Sequence, residues 1–226
     1  MSSVEALLVS LQLGDTFFPS GAGVHSHGLE GLLASGDVVG VAGLEAFLNA
    51  QLEHRWASAE RVVVHHAHAA AGDPEKLASL DRYVDRSTAV SSWRLGGRRL
   101  GRALLRTHQA LGTPHCVGYA AWVQAGRAPG QAGVVHGLVG FALGLAPAAS
   151  AALSAYGLAV GIVGAGLRLG AVGHLDAQRL LMRQRARTLE LLDRPLPPLD
   201  ELGTWVPAAE IASMVRETHR GRLFAT

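Results

Sequence analysis

The residues between Arg127 and Arg168 include no Asp, Glu, Lys or Arg, and Pro147 divides this segment into two pieces. Each piece is close to the ~20 apolar residues that span a bilayer. Gln131, His136 and a high content of Gly and Ala contribute little to membrane insertion. The segment therefore predicts two helices buried inside a soluble bundle. A helical membrane hairpin is the alternative.

The rest of the chain also has helical patterns, and no stretch alternates convincingly between apolar and polar residues. At 226 residues it is long enough for one large domain. We predict an all-α fold, a single compact multi-helix bundle with buried Gly/Ala-rich central helices and flexible termini. The bundle should occupy residues 1–194, with a Pro-rich linker and a C-terminal partner-binding tail in 195–226.

Several helix ends are marked by their residue types. The first helix should end near Gly14, and LEGLLASG should form a short helix that stops at Gly36. Asp73 and Pro74 are the residues expected at a helix start. A strong helical pattern that includes Trp93 should close at Gly112.

Charge and cysteine content exclude some classes of protein. The formal net charge of +2 is too small to indicate nucleic-acid binding. Cys116 is the single cysteine, so no internal disulfide can form, which favours a reducing compartment. The N-terminal residues lack a basic region and a cleavage site for secretion. We expect a cytoplasmic protein.

The stretch LGDTFFPSGAGVHSHGLE interrupts the helical pattern with helix breakers and polar groups. The structural interpretation is a tight loop in which Asp15 and Ser26 cap helix ends and Pro19 and the glycines set the turn. The alternative is an acid/base or metal group formed by His25 and His27 with the nearby carboxylates. No dinucleotide fingerprint is present in this stretch.

Other candidate groups are weaker. Imidazoles of His54, His65, His66 and His68 could bind nickel, copper or zinc, but no Cys or carboxylate stands at a fixed spacing from them. Cys116 follows a histidine but lacks a separate general base, which favours a buried thiol. The arginine rows in WRLGGRRLGRALLR and QRLLMRQRAR are typical of solvated helix faces, and an acidic protein partner is the alternative.

The opening stretch LLVSLQLGDTFFPSGAGVHSHGLE resembles the L-Q-L-x-D-x-x-x-P-x-G-x-x-x-H-S-x-G-L-E motif of the urease accessory UreF family. GRRLGRALLR is similar to the arginine-rich central helix of this family, and THRGRLFAT is similar to its C-terminal end. AYGLAVGIVGAGLRLGAVGHLDAQRLL is similar to its apolar helix and G-Q-x-x-x-Q element. The chain departs from the family pattern at His27, His174, Ala177 and Ala225.

The resemblance implies a homodimer without a reaction or cofactor of its own. UreF-like proteins bind UreD, called UreH in some organisms, and recruit the GTPase UreG, so that nickel is inserted into the urease apoprotein. Such a scaffold is expected to modulate GTP hydrolysis by UreG and to bind no nucleic acid and no membrane. A histidine-based nickel metallochaperone is the alternative function.

The resemblance also implies which residues contact partners, whereas it implies no catalytic or metal-binding residue. We expect the opening loop and the C-terminal tail to contact the partners, and deletion of the last few residues to leave the fold intact. The expected contact residues are Asp15, Pro19, Gly21, His25, Ser26, Gly28, Glu30, Gln178, Arg222, Leu223 and Phe224.

Overall fold

The computed structural model describes residues 2–19, 25–217 and Phe224. These residues form a compact all-α domain without strands in the described part of the chain, which confirms the predicted fold class. The α-helices are α1 Ser3–Gly14, α2 Leu29–Ser35, α3 Gly40–Gln51, α4 Arg61–Ala69, α5 Pro74–Ser87, α6 Ser91–Ala110, α7 Cys116–Gln124, α8 Ala132–Ala142, α9 Pro147–Arg168, α10 His174–Asp193 and α11 Pro207–Glu217.

The charge-free segment forms α8 and α9, and Pro147 begins α9 at the position where a missing N–H is harmless. Helix α9 packs against α1, α2, α3, α4, α8 and α10. By length and composition it could also cross a membrane, but half of its most apolar 18-residue window is buried inside the fold. A core helix of a soluble protein has these same properties.

Close helix packing around α8 depends on a residue without a side chain. A Cβ placed on Gly137 would lie 2.5 Å from the Val64 carbonyl oxygen and 2.6 Å from the Ala67 Cβ. Because α4 approaches α8 at this point with its backbone, a larger residue would force the two helices apart.

Helices α3 and α4 are joined without a break by a π-helical stretch, Leu52–Glu60. The apolar pattern predicts two helical segments here but does not predict the π-helical geometry. Trp56 lies in this stretch with no exposed surface, and its Nε1 donates a 2.8 Å hydrogen bond to the Ser154 hydroxyl on α9. The joined helix thus runs through the interior, between two groups of core side chains.

One apolar group is formed mainly by α2, α3, α9 and α10, and the other by α5, α6, α7 and α8. Helix α4 contributes side chains to both groups, because Val64 belongs to the first group whereas Val63 and Ala67 belong to the second. Buried Arg61 at the start of α4 donates to the carbonyl oxygens of Leu191, Arg194 and Pro195. This arginine satisfies acceptors that the end of α10 would otherwise leave without partners.

The predicted helix ends are confirmed. Helix α1 ends at Gly14, and Gly36 closes α2 with a φ of 80°. Asp73 caps α5 by accepting the N–H groups of Glu75 and Lys76, with Pro74 as the first helical residue. Helix α6 ends two residues before Gly112, which has a φ of 70°.

Candidate functional site

A polar turn directly follows α1. The Asp15 carboxylate accepts the N–H of Phe17 at 2.9 Å, and the Asp15 carbonyl accepts the N–H of Phe18 at 3.0 Å. The Phe18 ring lies 5.5 Å from the ring of His108 on α6, and the Thr107 hydroxyl donates to the Pro19 carbonyl at 3.1 Å. The turn is therefore fixed to α6, with Asp15, Phe17 and Pro19 exposed.

The residues after the turn lie inside the fold. His25, Ser26, Gly28 and Glu30 are all buried. A Cβ on Gly96 of α6 would come within 2.5 Å of the His25 imidazole, so this glycine makes room for the ring. In this conformation these four residues are not part of an exposed surface. The expected role of Ser26 as a helix cap is wrong, because Gly28 precedes α2 and no side chain caps that helix.

The opening loop and the C-terminal helix, which the sequence presents as two separate candidates, lie together. Gly28 has a φ of 89°, and a Cβ on it would overlap the Ala209 carbonyl of α11. The Glu30 carboxylate forms a 2.5 Å ion pair with Arg216 at the other end of α11. Trp93 of α6 donates to the Ser213 hydroxyl at 2.9 Å. Helix α11 therefore covers the opening loop.

The C-terminal candidate that the structure describes is also buried. Phe224 has 5% of its surface exposed and belongs to the core group formed by α2, α3, α9 and α10. The Arg168 guanidinium lies 4.7 Å from the centroid of its ring. Gln178 is exposed on α10. Gly21, Arg222 and Leu223 lie outside the described residues.

A cavity of about 490 Å³ lies behind the turn, between α1, α6, α8 and α9. Its polar lining includes Arg55 and His27, whose Nδ1 lies 2.9 Å from Arg55 Nη1. The guanidinium also lies 4.6 Å from the centroid of the Trp93 ring. Burial, Arg55 and His25 all lower the pKa of His27, so its ring is neutral at neutral pH and accepts the arginine N–H at Nδ1.

A second polar pair lines the same cavity. The Glu60 carboxylate lies 3.9 Å from His136 Nδ1. Burial raises the pKa of Glu60, although Arg55 opposes that shift, and burial lowers the pKa of His136 to about 4. His136 is therefore neutral near pH 7, and these two groups do not form a charged pair there. The sequence alone singles out neither Arg55 nor Glu60, because no motif marks them within an amphipathic helical pattern.

The chemistry of the remaining candidates is limited. Cys116 has no exposed surface, and burial raises the pKa of its thiol to about 12, so the thiol stays protonated at neutral pH. His68 places Nε2 2.8 Å from the Leu145 carbonyl and packs its ring against Phe141. In residues 2–19, 25–217 and 224, no group of three or more His, Cys, Asp or Glu could hold a metal ion.

Comparison with known proteins identifies a family whose sequences match this chain. The model of the UreF family matches residues 38–185. The urease accessory protein UreF of Trichodesmium erythraeum (strain IMS101) is 27% identical over 243 residues, covering 99% of this chain and 98% of that protein. The UreF of Actinobacillus pleuropneumoniae is 29% identical over 218 residues, covering 95% and 96%. The UreF of Streptococcus salivarius (strain 57.I) is 27% identical over 227 residues, covering 98% and 95%.

Proposed function

The chain belongs to the UreF family of urease accessory proteins, and on this premise we propose that it is the scaffold on which the urease maturation complex assembles. Family membership gives the chain a role in urease maturation. In the proposed complex it binds UreD, called UreH in some organisms, and recruits the GTPase UreG. Nickel then reaches the active site of the urease apoprotein, and the contact with UreG modulates GTP hydrolysis.

The observation that carries this proposal is the extent of the similarity. Alignments with UreF proteins cover 95% or more of the chain, so they include most of the opening segment as well as the helical core. The proposed role is non-catalytic, and the thiol of Cys116 is buried and protonated at neutral pH. The homodimer and the cytoplasmic location belong to the same proposal.

The first helix and its turn supply the surface that supports assembly. No residue of α1 is buried, and five apolar side chains on it and at the turn are more than half exposed. Such an apolar surface is typical of a protein that binds others. Its members are Val4, Leu7, Leu8, Leu11 and Phe17.

The buried loop residues act in this scheme by holding the surface in place. Glu30 binds Arg216 of α11, and the turn at Asp15 is fixed to α6 through Pro19. We propose that Asp15 and Pro19 contact a partner directly, whereas His25, Ser26, Gly28 and Glu30 set the position of the loop. Gln178, Gly21, Arg222 and Leu223 remain proposed contact residues, and residues 195–226 a proposed partner-binding tail.

A complementation experiment tests the function. The chain should restore urease activity and the nickel content of urease to a bacterium whose own UreF gene is deleted. Phe17→Asp should lower both several-fold, because it places a charge on the assembly surface. Val39→Asp is the matched control, since Val39 is also exposed but lies before α3. Failure of the unaltered chain to restore activity in the presence of its own UreD and UreG would refute the scaffold role.

A further inference from the structure

Charge is distributed very unevenly along the chain. No Asp or Glu occurs from Arg86 to Leu175, although this stretch contains eight arginines. The first 85 residues contain eleven of the eighteen acidic residues with only three arginines and one lysine. The formal charge is therefore −7 before Arg86 and +8 from Arg86 to Leu175, which the net value of +2 conceals.

Four side chains form a ridge along the exposed face of α6: Leu95, Arg99, Arg102 and Arg106. All four are exposed, and Leu95 keeps 46% of its surface in solvent. Their spacing of four, three and four residues places them on one side of the helix, over a length of about 16 Å. We call this set the α6 ridge.

The arginines of the α6 ridge differ from three arginines on and just after α10. On α10 and just beyond it, Arg183, Arg187 and Arg194 form ion pairs with Glu45, Glu53 or Glu190. Those arginines join α10 to α3 and the π-helical stretch. Their charges are balanced within the fold.

Within the described part of the chain, Arg99 and Arg106 make no hydrogen bond or ion pair. Arg102 donates from Nε to the Pro129 carbonyl at 2.8 Å, which fixes its stem but leaves its charge without a carboxylate. Arg82 fixes the same loop by donating to the Arg127 carbonyl at 2.8 Å. The α6 ridge is therefore a row of uncompensated guanidinium groups on a rigid helix.

We propose that the α6 ridge docks an acidic amphipathic helix of a protein partner. Carboxylates spaced three and four residues apart on such a helix would face Arg99, Arg102 and Arg106, and a guanidinium can bind a carboxylate through two hydrogen bonds. Leu95 adds an apolar contact at one end of the row. The loop at Pro129 flanks Arg102, and the opening turn at Pro19 contacts Thr107 near the other end of α6.

The charge pattern favours a protein helix over a nucleic acid. The row of three guanidinium groups, from Arg99 to Arg106, extends only about two helical turns. A nucleic acid carries a charge every few ångströms along its whole length, and most of its affinity comes from neutralising many phosphates. The acidic part of the chain, with a charge of −7 over its first 85 residues, would repel a longer polyanion.

The inference deepens the proposed function, on which it rests for the biological partner, because it assigns one face of the scaffold to a partner with an acidic surface. Its physical content can be tested separately from the identity of that partner. A suitable probe is a fluorescently labelled helical peptide of about twenty residues, with glutamates three and four residues apart on one face and a single leucine.

Anisotropy titrations of this peptide with the full chain should show binding that weakens as salt is added. Arg99→Glu and Arg106→Glu should each raise Kd about tenfold, because an attractive contact becomes repulsive. Arg185→Glu is the matched control, since Arg185 is exposed on α10 and has no hydrogen bond or ion pair in the described residues. This control should change Kd less than about twofold. All three variants should keep the melting temperature of the unaltered chain.

Three results would overturn the proposal: no binding of the peptide by the unaltered chain, equal effects of Arg99→Glu and Arg185→Glu, or tighter arginine-dependent binding of a duplex DNA of similar length. Co-purification of UreD and UreG separates this inference from the scaffold role. If both partners accompany Arg99→Glu as fully as the unaltered chain, the ridge proposal fails and the scaffold role stands. If neither accompanies the unaltered chain but the peptide binds through the ridge, the scaffold role fails and the ridge stands.

Discussion

Gly28 is restricted by both its backbone conformation and its surroundings. Its φ of 89° disfavours any side chain, and a Cβ would overlap the Ala209 carbonyl of α11. Gly36 has a similar φ of 80°, but no atom lies within 4 Å of the position its Cβ would take. A comparison of substitutions at Gly28 and Gly36 therefore separates the effect of backbone strain from the effect of steric overlap.

Gly28→Ala should lower the free energy of unfolding by about 3 kcal/mol, since strain and overlap combine. Gly36→Ala should lower it by about 1 kcal/mol, because only the strain applies. Urea denaturation of both variants measures the difference. Equal losses would mean that α11 does not press on the opening loop in solution.

His136 should make the stability depend on pH. Burial lowers its pKa to about 4 in the folded state, whereas the unfolded value is about 6.5. Between these values the unfolded chain binds more protons than the folded one. Stability should therefore fall as pH falls from about 6.5 towards 4, and His136→Gln should reduce this dependence. NMR titration of the imidazole measures the pKa directly, and a midpoint near 6.5 would contradict the burial.

The residue types in the sequence predict where helices begin and end, but they do not predict which polar residues are exposed. Asp73, Pro74, Gly14 and Gly36 act locally, so their roles at helix ends could be predicted from their neighbours in sequence. The burial of Glu30 could not, because it depends on Arg216, which lies 186 residues away in the chain. His25 and Ser26 of the opening loop are buried as well, whereas Asp15 is exposed.

At the scale of elements, Asp81 of α5 joins three parts of the fold. It is fully buried and accepts hydrogen bonds from the Tyr119 hydroxyl on α7 and from the N–H groups of Gly130 and Gln131 before α8. Burial raises its pKa, and these three donors oppose the shift. The start of α8, and with it one wall of the cavity, depends on this carboxylate.

Asp81→Asn should cost about 2 to 4 kcal/mol, because an amide group would face buried N–H donors. Tyr119→Phe removes one hydrogen bond and should cost about 1 kcal/mol. Thermal or urea unfolding of the two variants tests whether Asp81→Asn lowers the free energy of unfolding more than Tyr119→Phe does. A loss from Asp81→Asn no larger than that from Tyr119→Phe would show that the backbone bonds contribute little.

The C-terminal residues also contribute to the fold. Phe224 packs in the core, so the expectation that removing the last residues leaves the fold intact conflicts with its burial. Phe224→Ala should lower the free energy of unfolding by about 3 kcal/mol. Met214→Ala, at a site 46% exposed on α11, should change it by less than about 0.5 kcal/mol. Similar values for the two variants would place Phe224 outside the core in solution.

At the scale of the whole molecule, the helical spacing of apolar residues predicts the fold class well. A bundle of helices buries its apolar faces, so this spacing has to be present in the sequence. The charge-free segment forms two helices, and α9 packs at the centre against much of the molecule. The π-helical stretch and the cavity with Arg55 and Glu60 were not predictable, since both arise where distant helices meet. The apolar surface of α1 has no cover within the described chain, which fits a protein that functions in an assembly.

The most direct test of the scaffold role is a measurement of the molecular mass of the complex that the chain forms with its partners. The tagged chain should be co-expressed with UreD and UreG from the same source, and the soluble material weighed by light scattering after size-exclusion chromatography. The scaffold role predicts a stoichiometric complex of all three proteins built on a dimer of this chain. Elution of the chain without either partner would contradict the scaffold role, and recovery only in detergent would contradict the burial of the charge-free segment inside a soluble bundle.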